Sequence, residues 1–145
     1  MPGIRPLSIG VLRREEKFLM VEVLNDSGAL KGWRPLGGGI EFGESAENAV
    51  IREFKEEIGY EINCQRLLGV LENIYTHEGH KGHEIVFVYS VTMSDKSALY
   101  KERYKIEEGS MTANAKWMSL RELLDGSGDI YPIGLVEHLR RLIST

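Results

Sequence analysis

The stretch "REFKEEIG", residues 52–59, places Glu53, Glu56 and Glu57 within two turns of any helix it forms, and it stops at a glycine. At spacings i, i+3 and i+4 their Cβ atoms come within about 5–6 Å of one another. Three carboxylates that close repel unless a cation neutralises them. Convergent hard oxygens suit Mg²⁺ or Mn²⁺, whereas zinc prefers His and Cys. Mg²⁺ held by a few carboxylates keeps waters and shares phosphate oxygens with a substrate. Just upstream, "WRPLGGGIEFGE" (33–44) carries glycines at 37, 38, 39 and 43. Such density permits unusual backbone angles and close approach of main chain to a ligand. The chemistry these residues point to is a metal-assisted reaction on a phosphate compound.

The elements that must position them follow from local signals. Ser45 is a good N-cap and Gly59 a good C′ residue, which predicts a helix over 46–58. Advancing about 100° per residue, Ala46, Val50, Phe54 and Ile58 form one apolar stripe. Glu57 falls inside that stripe, Glu53 at its edge and Glu56 further round, while Asn48, Arg52 and Lys55 face away. The acidic residues therefore lean toward the protein body, where a bare carboxylate costs several kcal/mol. "LSIGVL" (7–12) and "KFLMVEV" (17–23) read as strands joined by the polar turn "RREE", and "NDSGALKG" (25–32) as a loop. Residues 62–76 read as one or two strands, 77–82 as a polar turn and 83–93 as a strong strand. Residues 94–113 read as a flexible loop and 113–119 as a short strand. Ser119 and Glu122 form a capping box for a helix beginning at Leu120, and a last helix covers 132–143. Interleaved strands and helices define an α/β or α+β class.

The chain has 145 residues, which points to one domain spanning 1–145. Its net charge of −4 argues against a general grip on nucleic acid, which needs a basic surface. It leaves room for a small anionic substrate whose charge a metal offsets. A lone cysteine, Cys64, cannot form an internal disulfide and makes the reducing cytoplasm the default location. No apolar run reaches the ~18 residues of a membrane span, and "MPGIRPLSIG" lacks a signal-peptide core.

Gly38, five residues, Glu44, seven residues, then Arg52-Glu53-Phe54-Lys55-Glu56-Glu57-Ile58-Gly59-Tyr60 resembles the signature of the Nudix hydrolases. All fixed positions match, with aromatic Phe54 and Tyr60 where aliphatic residues are usual, and the box covers 38–60. The resemblance implies an α/β/α sandwich with a mixed β-sheet. It implies Mg²⁺-dependent cleavage of a phosphoanhydride in a nucleoside diphosphate-linked compound: a nucleoside triphosphate, a dinucleoside polyphosphate or a nucleotide sugar. It also leaves room for a homodimer. Glu53, Glu56, Glu57 and the Gly37 carbonyl look like metal ligands. Glu53 looks like the general base, Arg52 like the residue that orients the glutamates by a salt bridge, and Glu44 like a residue that reaches the metal through water or through one of its ligands. Other bases come into view outside the box: Glu107 and Glu108 before Trp117, and Glu84 at the head of its strand.

Gly38, Gly39, Arg34, Trp33 and His83 are the expected substrate contacts. Trp33 stands at the glycine turn, and His83 adjoins a strand that should line the cleft; Trp117 could also stack on a base. His77, His80 and His83 read as solvated residues of a hairpin tip. Tyr75 lies near the position where the family's dinucleoside polyphosphate members carry tyrosine, and its ADP-ribose members carry proline; residues 36–131 contain no proline. The competing class is a Nudix-like module that senses a nucleotide without cleaving it, a role that has no need of the full glutamate set.

Overall fold

The computed structural model describes residues 3–108 and 111–144, with Glu108 and Met111 described in their main chain only. Strand β1 (Ile4–Arg14) begins three residues earlier than its apolar run indicates, and β2 (Lys17–Leu24) follows a two-residue turn. Next come β3 (Leu30–Arg34) and β4 (Leu36–Gly39), so the glycine run is itself partly strand. Helix α1 (Ala46–Ile58) has the expected caps: the Ser45 side chain accepts from Asn48 N, and Gly59 closes the helix in the left-handed region. The single strand β5 (Ile62–His77) and β6 (His80–Met93) form a long hairpin. Its turn is only Glu78-Gly79, both at positive φ, a geometry that matches the twist of antiparallel strands. The turn expected over 77–82 is therefore shorter, and His77 pairs with His80 in the ladder.

Residues 94–113 do not form a loop. A 3₁₀ turn (Lys96–Tyr100) leads into β7 (Arg103–Glu108), which pairs with β8 (Met111–Ser119). The physical reason is alternation: Tyr104 and Ile106 are buried while Arg103, Lys105 and Glu107 are exposed. Helix α2 (Leu120–Asp125) carries the full Ser119/Glu122 capping box. A two-residue strand β9 (Asp129–Ile130) precedes α3 (Leu135–Ser144), which starts three residues later than expected.

The strands form one mixed sheet ordered β5-β6-β1-β2-β3-β9, with β4 on β1 and β7-β8 attached through β2. The pairs β1/β6 and β3/β9 are parallel; the rest are antiparallel. One face carries a core in which Val50 and Phe54 of α1 pack on Leu12, Leu19, Val21 and Leu36. The opposite face carries a second core in which Leu123 of α2 and Leu135 and Leu139 of α3 pack on Ile9, Val11, Phe18 and Met20. Helices on both faces of a mixed sheet give the expected α/β/α layering. Burying a side chain of this kind contributes about 1.5–3 kcal/mol, so Phe54, fully buried, anchors α1 firmly. The buried Ser8 hydroxyl donates to the Ala46 carbonyl at 2.6 Å, tying the helix start to β1.

Candidate active site

Helix α1 and strand β4 bring their chemistry into one cleft of about 540 Å³, lined by Gly37, Gly38, Gly39, Glu53, Glu56, Glu57, Arg34, Arg5, Glu84 and Glu107, together with Leu7 and Ile9. The three glutamates stand at graded depth: side-chain exposure is 3% for Glu57, 16% for Glu53 and 59% for Glu56. This order is the one the helical wheel gives. Glu57 accepts from the Gly37 amide at 3.0 Å, a buried bond joining α1 to β4. Its second oxygen lies 3.9 Å from an Arg34 guanidinium nitrogen.

Arg52 is the hub of the site. Its Nε and Nη2 donate to the two Glu44 oxygens at 2.8 and 3.0 Å, the planar two-point match that guanidinium makes with carboxylate. Nη1 donates to Glu53 at 3.0 Å and to Glu56 at 3.2 Å, and Nη2 also reaches the Gly39 carbonyl at 2.9 Å. One cation thus joins two of the cleft glutamates to the glycine turn. The bond to Arg52, with the Glu41 amide behind it, holds the Glu44 carboxyl below its ordinary range. The same contact with Glu44 drives the Arg52 pKa further up, so the guanidinium stays charged.

The glycines have separate duties. Gly37 has φ 144°, and a Cβ there would overlap the Ser8 carbonyl. Gly38 lies against the Glu53 carboxylate: a Cβ there would stand 2.6 Å from Cδ and Oε1. The missing side chain is the space the carboxylate occupies. An all-oxygen set of three carboxylates around such a cradle fits a hard divalent cation, with Glu53, Glu56 and Glu57 the residues able to hold it.

Two expected substrate contacts lie elsewhere. Trp33 is buried in the core under α2 and α3, with the Lys116 ammonium 5.2 Å from its ring centroid, and does not line the cleft. Tertiary packing of β3 between β2 and β9 decides this, not the neighbouring glycines. His83 bonds Glu72 at 2.9 Å and is also absent from the cleft wall. Successive β6 residues face opposite ways, so it is Glu84 that enters. Trp117 is buried too, its Nε1 donating to the Lys101 carbonyl at 2.8 Å and Arg14 lying over its ring. The Glu108 side chain falls outside the described residues. Arg5 was not among the expected residues; a strand starting at residue 4, with Arg5, Leu7 and Ile9 on one face, is the signal that locates it.

A second cavity of about 500 Å³ adjoins the first and shares Leu7, Ile9, Arg34 and Glu84 with it. Its walls are mainly apolar, with Val23, Leu24, Val86, Tyr131 and Ile133, and also include Lys31 and Asp129. The Lys31 ammonium lies 5.6 Å from the Tyr131 ring centroid and contacts His77 Nδ1.

A family model described as the NUDIX domain matches residues 4–139, and the chain belongs to the Nudix family. It is 36% identical over 81 residues to an ADP-ribose pyrophosphatase of Methanocaldococcus jannaschii, covering 55% of this chain and 46% of that one. It is 31% identical over 64 residues to the nucleoside triphosphatase NudI of Escherichia fergusonii, covering 43% of this chain and 45% of that one. The matched stretches thus span about half the length of these relatives. The crystal structure of a MutT NUDIX hydrolase from Burkholderia pseudomallei shares the fold, with a TM-score of 0.65 at 22% identity, covering 97% of this chain and 98% of that one. Among the described residues no helix is long and apolar enough to cross a membrane.

Proposed function

We propose that this chain is a Mg²⁺-dependent pyrophosphohydrolase that cleaves a phosphoanhydride bond in a small nucleoside diphosphate-linked compound by water attack. The observation that carries the reading is the placing of Glu53, Glu56 and Glu57 at graded depth on one wall of a glycine-lined cleft, with Arg52 holding two of them. The phosphorus of an anhydride is shielded by anionic oxygens. A divalent cation bound there neutralises that charge and acidifies water.

Glu53, Glu56 and Glu57, with the Gly37 carbonyl, hold the cation, Mg²⁺ or Mn²⁺. Glu53 also takes the proton of the attacking water. It is preferred over Glu107 and Glu84 because it stands on α1 beside the other two cleft glutamates, where the cation would acidify the water. Arg52 fixes the glutamates, and Glu44 fixes Arg52. Gly39 lets the phosphate chain approach the backbone, Gly38 gives the Glu53 carboxylate its place beside that chain, and Arg34, at the junction of the two cavities, meets it as a cation. The names of the two relatives favour a nucleoside triphosphate or a nucleotide sugar, and the chain acts as one domain in the cytoplasm.

The test is an assay of nucleoside monophosphate release, followed by chromatography, over a panel of nucleotides, with and without Mg²⁺, on the wild type and on Glu57→Gln. Mg²⁺-dependent turnover that the substitution abolishes is the expected result. Nucleotide binding with no turnover of any compound would instead make the domain a sensor.

A further inference from the structure

Resting on that reading, the geometry points to Glu84 as the residue that recognises the sugar of the substrate by accepting hydrogen bonds from the ribose 2′,3′-diol. A nucleotide runs from phosphates through a sugar to a base. The acidic cleft takes the phosphates, and the adjoining apolar cavity with Tyr131 takes the base. The sugar then lies at their boundary, among the four residues common to both cavities: Leu7, Ile9, Arg34 and Glu84. Of the two polar ones, Arg34 suits a phosphate, and Glu84 is the hydrogen-bond acceptor.

A carboxylate beside a polyphosphate is repelled unless it faces hydroxyl donors. Glu84 is held in place for that task. Its Oε2 accepts from the Tyr75 hydroxyl at 3.0 Å and lies 3.9 Å from Arg5 Nη1. Its side chain is 17% exposed, so water competes for it only in part. A carboxylate has about four lone-pair positions, which leaves acceptor capacity for two sugar hydroxyls. The hairpin register makes the arrangement. Tyr75 pairs with Gly82, and a Cβ at Gly82 would strike the Tyr75 ring, so this glycine lets the ring lie across β6 toward Glu84. Burial, and the neighbouring Glu84 carboxylate, raise the Tyr75 pKa and keep its hydroxyl a donor.

The experiment compares the four ribonucleoside triphosphates with their 2′-deoxy and 2′,3′-dideoxy analogues, reading kcat/KM and, in parallel, the affinity of the corresponding monophosphates by calorimetry. Removing hydroxyls that a site is built to bond leaves its polar group unpaired. The wild type is expected to prefer ribose over dideoxyribose by about 10- to 100-fold. Glu84→Ala should bring that ratio to within about threefold, and Tyr75→Phe should lower it in part, with the thermal midpoint of each variant showing that it is folded. Equal handling of ribose and dideoxyribose by the wild type, or an unchanged ratio in Glu84→Ala, overturns the assignment. The calorimetric ratio is readable even without turnover, so loss of the hydrolase reading and loss of the sugar assignment are separate results.

Discussion

Adjacent glycines of the turn should fail in opposite ways when given a methyl group. Gly38 lies in β4 with φ outside the left-handed region, so alanine costs its backbone little. What the methyl meets is the end of the Glu53 side chain, at 2.6 Å from Cδ and Oε1 and 2.8 Å from Oε2. Ordinary contact begins at 3.4 Å, so the carboxylate must withdraw by about 0.8 Å. That movement also disturbs its 3.0 Å bond to Arg52. A displacement near 1 Å of a positioning or reacting group costs up to about 10²-fold in rate. Gly38→Ala should therefore lower kcat by about 10- to 100-fold, which is about 1.4–2.7 kcal/mol of barrier, at a nearly unchanged thermal midpoint. Gly37→Ala is the counterpart. Its φ of 144° and its overlap with the Ser8 carbonyl and the Ile9 Cα involve backbone that cannot step aside. It should lose about 2 kcal/mol or more of stability, roughly 5 °C in midpoint. Initial rates of nucleoside monophosphate release and thermal melts of both variants decide the matter. A Gly38→Ala enzyme within twofold of the wild-type kcat would show that the Glu53 carboxylate does not depend on the space beside Gly38.

Two further outcomes follow from single contacts. Arg52→Lys replaces a fork that serves Glu44, Glu53, Glu56 and Gly39 by a point charge that cannot span them; kcat should fall at least about tenfold while the Mg²⁺ concentration for half-activity rises, and unchanged values for both remove its positioning role. Burial, with Tyr60 beside it, pushes the Tyr104 hydroxyl up to about 12 from its ordinary 10. Above pH 10 the native state then holds the proton that the unfolded chain gives up, so stability is full below pH 10 and is lost between about pH 10 and 12. Urea midpoints across that range should fall, and fall less steeply for Tyr104→Phe.

The helix that carries the site was legible because its signals are local. Ser45, Gly59 and a 3.6-residue period define α1, and the same period places Glu57 inward without knowledge of the rest of the fold. What lay outside reach needed register. Strand β6 carries apolar or aromatic residues at both odd and even positions, so nothing in "HEIVFVYSVTM" tells whether His83 or Glu84 enters the cleft; pairing of Glu84 with Arg5 settles it. The alternation of Tyr104 and Ile106 was readable, yet the strand is only six residues long and charged at all but those two positions, so it resembled a loop. Trp33 illustrates the reverse error: glycines beside an aromatic residue look like a ligand platform, but its burial is decided by β9, α2 and α3, which lie far away in sequence.

Glu57 shows how the fold and the site depend on one group. Its carboxylate is almost wholly buried, which is costly for an ion, and it is offset by the Gly37 amide and by the nearby Arg34 guanidinium. A dication in the cleft would add a third, stronger compensation, so metal binding should also stabilise the folded chain, by about 2.7 kcal/mol at a hundredfold excess over its dissociation constant. The hydrogen bond that the Gly37 N–H donates to Glu57 explains why glutamine is the informative replacement at this position. A glutamine side chain would keep an oxygen to accept from Gly37 and thus keep α1 on β4, while removing the charge that a cation needs. The stabilisation by metal should accordingly shrink in Glu57→Gln although the metal-free melting temperature stays near that of the wild type. A Glu57→Leu protein would lose both functions together and could not tell them apart.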